Sequence, residues 1–263
     1  MSAPVFLTPA AADARPGDVL EVAGAEARHA VTVQRRGAGE RVDLADGAGA
    51  RASGEIVEAG DGRMRVRIDA VSRDDDPPVV LVQALAKGGR DEQAVEAAVE
   101  LGATRIVPWG AARSIVQWRG PKADKARDKW VALATAAAKQ SRRALVPSVD
   151  GVVTTRALAA MVAEATARGD RVLVLHEEAA APLADLAWDD GAAVTWIVVG
   201  PEGGIADDEV GALVDAGAEA VVLGPHVLRA SSAGPAAIAA LAIARGTWSA
   251  ARWSDDARGG GLR

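Results

Sequence analysis

The chain contains no cysteine, which excludes disulfides, thiolate nucleophiles and cysteine zinc sites. It has no tyrosine and a single phenylalanine, Phe6, while Ala, Gly and Arg are abundant. That bias points to a GC-rich genome rather than to a chemistry. Hydrophobic residues make up 49% of the 263 positions, yet no run approaches the roughly 18 to 20 apolar residues of a membrane span. The start, Met1-Ser-Ala-Pro-Val-Phe6, lacks a basic stretch followed by an apolar one. No signal peptide is expected, and the protein is expected to be cytoplasmic. Gly-x-Gly-x-x-Gly, Gly-x-x-x-x-Gly-Lys-Ser/Thr and Gly-x-Ser-x-Gly are all missing. The usual dinucleotide fingerprint, phosphate loop and serine-nucleophile elbow are therefore absent. His176-Glu177-Glu178 does not have zinc-ligand spacing, so no metal site is expected.

What is present is organised in two parts. Residues 1 to about 73 read as short strands. In Arg63–Asp69, Met64, Val66 and Ile68 fall on one face and Arg63, Arg65 and Arg67 on the other. Asp46-Gly47 and Asp61-Gly62 are hairpin-type turns, and the whole suggests a small β-barrel. Asp74-Asp-Asp-Pro-Pro78 then marks a boundary. Beyond it strands and helices alternate: strands at 79–85, 105–108 and 171–175, helices at 91–101, 122–140, 155–168 and 233–244. This predicts an α/β domain over 77–248 with a mainly parallel sheet and ligand loops at the carboxyl ends of its strands. The tail 249–263, rich in glycine, is expected to be disordered.

The most informative stretch is Gly200-Pro201-Glu202-Gly203-Gly204, between the apolar strand 194–199 and the acidic helix start Asp207-Asp-Glu209. Such a loop turns backbone N–H groups toward a ligand. Glu202 would repel a phosphate, so a neutral or cationic ligand is expected. A second loop, Leu223-Gly-Pro-His-Val-Leu-Arg229, follows the next strand. The net charge is −6, yet nine basic residues between Arg113 and Arg143 face only Asp124 and Asp128. That segment is either a solvated helix face or a nucleic-acid surface whose binding weakens steeply with salt. Trp130, at helical spacing with Leu133 and Ala137, reads as core or dimer packing rather than a stacking platform.

These features, in this order, resemble the RsmE-type 16S rRNA uracil-N3 methyltransferases of the SPOUT superfamily. The match includes Arg28-His29 with Val33 and Arg35, Ala84-Leu-Ala-Lys-Gly-Gly-Arg-Asp-Glu92, Glu100-Leu-Gly-Ala103 and Arg113-Ser-Ile-Val116. It continues through Gln140-Ser141 with Arg143, Gly200–Gly204 and Leu223–Arg229. The resemblance implies a PUA-like RNA-binding barrel before a trefoil-knotted α/β domain, S-adenosyl-L-methionine as cofactor, and a homodimer. Its substrate would be 16S ribosomal RNA, within the small subunit. It implies cofactor contacts by Leu175, His176 and Glu177, by Val199, Gly200, Pro201, Glu202 and Gly203, and by Leu223, Gly224, Pro225, Leu228, Ala230 and Ser232. RNA contacts would come from Arg28, His29, Arg35, Arg113, Lys139 and Arg143, and Arg229 would serve catalysis. Two departures stand out. Ala230-Ser231 replaces the Thr-Glu that many members carry, and Lys139 stands where Glu is common. Ser232 is expected to cap the last helix, with Pro235 near its start. The alternatives are another SPOUT methyltransferase acting on ribose 2′-hydroxyls, or a non-catalytic RNA-binding or assembly factor.

Overall fold

A computed structural model describes residues 3–74, 77–188 and 193–248; the expected disorder of 249–263 concerns residues outside this set. The chain divides at Asp75/Asp76 into two compact units, and Ala138–Val146 belongs to the first although it comes later in sequence.

The first unit is built from β1 (Val5–Leu7), β2 (Val19–Ala23), β3 (Arg41–Ala45), β4 (Ala50–Gly60) and β5 (Arg63–Arg73), with helix α1 (Gly24–Arg28) after β2. They form one sheet in the order β1-β3-β4-β5-β2, antiparallel except for the parallel pair β1 and β3. Among the described residues β1 and β2 remain the sheet's edges, so strand pairing does not close a barrel. The alternation in β5 works as expected: Met64, Val66 and Ile68 are buried. Arg63, Arg65 and Arg67 lie outside, each within reach of a cross-strand carboxylate (Glu21, Glu58 and Glu55) at 3.2–3.6 Å. That stripe is a solvated, paired face. Gly54 is required by space: a Cβ there would lie 2.1 Å from the Arg67 carbonyl oxygen, at a bulge in β4.

The second unit holds β6 (Val79–Ala84), α2 (Arg90–Glu100), β7 (Arg105–Gly110), α3 (Pro121–Gln140), β8 (Ser148–Val149) and β9 (Val153–Thr154). It continues with α4 (Thr155–Ala167), β10 (Arg171–Leu175), β11 (Ala181–Pro182), β12 (Thr195–Val199), α5 (Asp207–Asp215), β13 (Glu219–Val222) and α6 (Ala230–Ala244); the end of α3 passes into the first unit. The strand order is β11-β13-β10-β12-β6-β7-β8, with β9 also on β7. Among the described residues every pair is parallel, not merely most. The apolar runs reflect burial on both faces. Val80, Val82, Val107, Val174, Trp196 and Val198 pack with α4 and α5 in one core. On the other face α6 and α2 pack together, and Gly234 lets α6 approach so closely that a Cβ would sit 2.8 Å from Leu81. Trp130 is buried and meets Trp118 edge-on at 5.0 Å, so it is a packing residue.

Helix α6 begins at Ala230, three residues earlier than expected. Arg229 is extended and occupies the N-cap without a side-chain bond. Ser232 is therefore the third helical residue and not a cap, and Pro235 lies inside the helix. The proline removes the N–H that would bond the Ser231 carbonyl, which the first turns tolerate better than the middle. Among the described residues no helix is long and apolar enough to cross a membrane.

Asp91, buried at the start of α2, accepts the backbone N–H groups of Ala86 and Glu92 at 3.1 and 2.9 Å. Burial raises its carboxyl above the ordinary 3.8, against the lowering by those N–H groups. A raised folded value means that its contribution to stability is full below the unfolded carboxylate range and is lost as pH rises through the raised value. The stability of the wild type relative to Asp91→Asn should therefore improve on acidification toward pH ~4. Urea unfolding at several pH values measures this, and a pH-independent difference would refute it.

Candidate active site

The five neighbouring strands β13, β10, β12, β6 and β7 all point the same way, so their carboxyl-end loops converge. They surround a cavity of about 670 Å³ lined by residues of the loops after β7, β10, β12 and β13 and by Arg90 at the start of α2. β10 contributes Leu175, His176 and Glu177. β12 contributes Val199, Gly200, Pro201 and Glu202, and β13 contributes Leu223, Gly224, Pro225, Leu228, Arg229 and then Ala230. Of the expected cofactor contacts, Gly203 and Ser232 are not on its wall. Gly203 instead backs onto Arg113, where a Cβ would stand 3.2 Å from the Arg113 Cβ.

Gly200 is the tightest point. A Cβ there would lie 2.6 Å from Ile205 Cγ1 and 3.2 Å from the Ile205 nitrogen. The loop folds back on itself through a Gly204 N–H donated to the Pro201 carbonyl at 2.9 Å. Gly204 adopts a φ of 74°, which suits glycine. Behind the loop, the buried Glu209 carboxylate accepts from the Ala112 N–H at 2.9 Å, the Thr155 hydroxyl at 2.5 Å and the Ala206 N–H at 3.3 Å. Trp109 Nε1 donates to the same hydroxyl at 3.2 Å. This network holds the loop after β7 against the start of α5, and three acids there complement the helix dipole.

Glu202 does not present an unpaired carboxylate. Its Oε1 accepts the Lys87 N–H at 3.1 Å and Arg90 Nη1 at 3.2 Å. Arg113 is also engaged: its Nη1 donates to the carbonyls of Gly203 and Ile205 at 3.1 and 3.4 Å. Arg229 is exposed on the cavity wall and has no ion-pair or hydrogen-bond partner for its side chain among the described residues. His176 Nδ1 accepts the Glu178 N–H at 3.3 Å, while the His176 backbone N–H donates to the Val221 carbonyl at 2.9 Å. It acts there as a loop-shaping residue.

The expected RNA contacts separate. Arg28 and Arg35 are exposed in the first unit, Arg35 with a left-handed φ of 55°. His29 is half-buried beside Phe6 and shares a 3.0 Å hydrogen bond with Gln34. Arg143 is buried, and the Lys139 ammonium is held by both Glu26 oxygens at 2.7 and 2.9 Å. Neither presents a solvated charge, because the first unit consumes them internally. In the basic segment, Arg119, Lys122 and Lys125 are exposed and form no ion pair among the described residues.

Sequence reasoning missed Arg90 as a site residue. It lies inside the Ala84–Glu92 motif, but its partner is 112 residues away. No spacing signal spans that distance.

Residues 74–242 match the family model of the RNA methyltransferase domain, and residues 22–69 match that of the RNA methyltransferase PUA domain. The chain is 45% identical over 240 residues to ribosomal RNA small subunit methyltransferase E of Mycobacterium tuberculosis, covering 89% of this chain and 90% of that protein. The Bacillus subtilis protein of the same name is 29% identical, covering 84% and 89%. A solved structure of the Neisseria gonorrhoeae enzyme of that name, bound to S-adenosyl methionine, superposes with a TM-score of 0.78 at 26% identity, covering 92% of this chain and 97% of that one. The α/β sheet with its cavity, the PUA-like first unit and the full-length likeness agree: the chain belongs to the RsmE-type family of SPOUT RNA methyltransferases.

Proposed function

We propose that this protein transfers a methyl group from S-adenosyl-L-methionine to N3 of a uridine in 16S ribosomal RNA. The observation that carries the reading is the glycine-cradled cavity at five adjacent strand ends, in a chain 45% identical to a ribosomal RNA small subunit methyltransferase E. Its volume of about 670 Å³ falls in the ordinary range for small-molecule sites. The missing Cβ at Gly200 lets the loop fold tightly onto Ile205, which fixes the backbone that borders the cavity. Leu223 and Leu228 offer apolar wall to a flat base. When bound, S-adenosyl-L-methionine supplies an electrophilic methyl carbon on a sulfonium.

The protein's own contribution is positioning and charge. Uridine N3 would give up its proton to water ahead of transfer, which spreads negative charge over N3 and the flanking ring oxygens. The N–C bond would then form as the methyl–sulfur bond breaks, with S-adenosylhomocysteine as the leaving group. Arg229, unpaired on the wall among the described residues, stabilises that charge. The uridine must leave its stack to enter, at a cost of a few kcal/mol. The exposed Arg119, Lys122 and Lys125 support contact with RNA phosphates, and the loop carrying Arg113 runs directly into their segment. The first unit, with Arg28 and Arg35 exposed, serves as a second RNA-binding surface. We also propose that it acts as a homodimer and works in the cytoplasm with its ribosomal substrate.

The test is methyl transfer from labelled S-adenosylmethionine to small ribosomal subunits lacking the modification, followed by nucleoside analysis. 3-Methyluridine is the expected product. A 2′-O-methylated nucleoside would assign a different SPOUT activity, and cofactor binding without transfer would make the protein a binding factor.

A further inference from the structure

The glycine loop is gripped from two sides. Arg113 holds its backbone through the Gly203 and Ile205 carbonyls, and Arg90 holds its one carboxylate, Glu202. The second grip comes from a turn built for it. Gly88 and Gly89 take left-handed φ values of 68° and 72°, and the turn is pinned underneath by Asp91 on the Ala86 N–H. That geometry aims the Lys87 N–H and the Arg90 guanidinium at the same oxygen, Oε1 of Glu202. The pair is partly sheltered, with side-chain exposures of 33% for Arg90 and 18% for Glu202, and both residues border the cavity. An ion pair in that setting is screened less than one in open water. Turning Glu202 toward a ligand would break both bonds to Oε1.

We infer that Arg90 is a positioning residue for the cofactor: by latching Glu202 to the loop after β6, it sets the shape of Gly200–Gly204 and neutralises the carboxylate. The loop then recognises its ligand by backbone donors and shape, not by a charge contact from Glu202 to the sulfonium. This rests on the methyltransferase reading and deepens it. It also has a consequence that a direct charge contact lacks. A latch aids S-adenosylmethionine and the uncharged thioether S-adenosylhomocysteine alike, whereas a carboxylate facing the sulfonium aids only the former.

The experiment is calorimetric titration of both compounds into the wild type, Arg90→Ala, Glu202→Gln, the double variant and Arg90→Lys. Each single change should weaken binding about tenfold, equally for the two compounds, and the double variant should be no weaker than either single one. Arg90→Lys, which keeps a cation near Glu202, should recover part of the loss and shows that the variants fold. In turnover the loss should fall mainly on the cofactor KM rather than on kcat. Unchanged affinity in Arg90→Ala overturns the latch. So do additive losses in the double variant, or a loss confined to S-adenosylmethionine, since either means that Glu202 acts on the ligand directly. If the wild type binds neither compound, the methyltransferase reading falls and the latch with it. If the wild type binds and the variants bind equally well, only the latch falls.

Discussion

Arg229→Ala is expected to lower methyl transfer about a hundredfold at saturating cofactor and RNA, the size of effect seen when one donor to a developing oxyanion is removed. The expectation comes from three observations. The side chain borders the cavity, it has no internal partner among the described residues, and it makes no capping bond although the residue is the N-cap of α6. Alanine therefore removes a guanidinium without dismantling the helix start. Affinity for S-adenosylmethionine should change by less than about threefold, because the loss concerns charge that develops on the uridine. Single-turnover kinetics with labelled cofactor, read beside calorimetry, separate the two quantities. A variant with wild-type turnover would remove Arg229 from the mechanism. A variant that loses cofactor affinity in proportion to turnover would reassign it to ground-state binding.

Gly200→Ala is expected to weaken cofactor binding by roughly tenfold or more, the scale of a distorted binding loop. A methyl group at Gly200 would stand 2.6 Å from Ile205 Cγ1 and 3.2 Å from the Ile205 nitrogen. Neither neighbour yields readily. Ile205 is 3% exposed and belongs to the core between the sheet and α4–α5, and the nitrogen is backbone. Relief must come from the loop itself, whose position Glu209 and Arg113 also constrain. Gly211→Ala is the matched control: it sits within α5, and an added methyl group there would meet nothing within 4 Å beyond the helix's own backbone. That change should stabilise the protein by about 0.5–1 kcal/mol and leave cofactor affinity intact. Calorimetry and thermal unfolding on both variants check the pair. Equal cofactor affinity in Gly200→Ala would show that the loop has room that the static geometry denies.

Much of the second unit could be read from periodicity because its physics is local. Strands buried on both faces must be apolar runs, as in Val79–Ala84 and Thr195–Val199, and those runs stand out in any reading. The strand-loop-helix arrangement around Gly200 was equally legible, since the turn needs glycine where a side chain would collide. The start of α6 was not. Ser232 and Pro235 look like a cap and a first-turn proline, but packing of α6 against α2 and the sheet begins the helix at Ala230. The basic segment was legible only in part, for a related reason. Counting charges between Arg113 and Arg143 cannot reveal that Lys139 meets Glu26 or that Arg143 is buried.

By itself, the sequence determined the two-part pattern, the parallel α/β class, the absence of thiol chemistry and the two loops that carry the ligand site. These follow from composition, period and turn chemistry, which act within a few residues of one another. Only the tertiary structure decided which charges remain available. It placed Arg90 on Glu202 and Arg113 on the glycine loop, and it left Arg229 unpaired at the cavity among the described residues. The reason is one of range. A charge is consumed or kept available by whichever group folding brings within about 4 Å, and for Arg90 that group lies 112 residues along the chain.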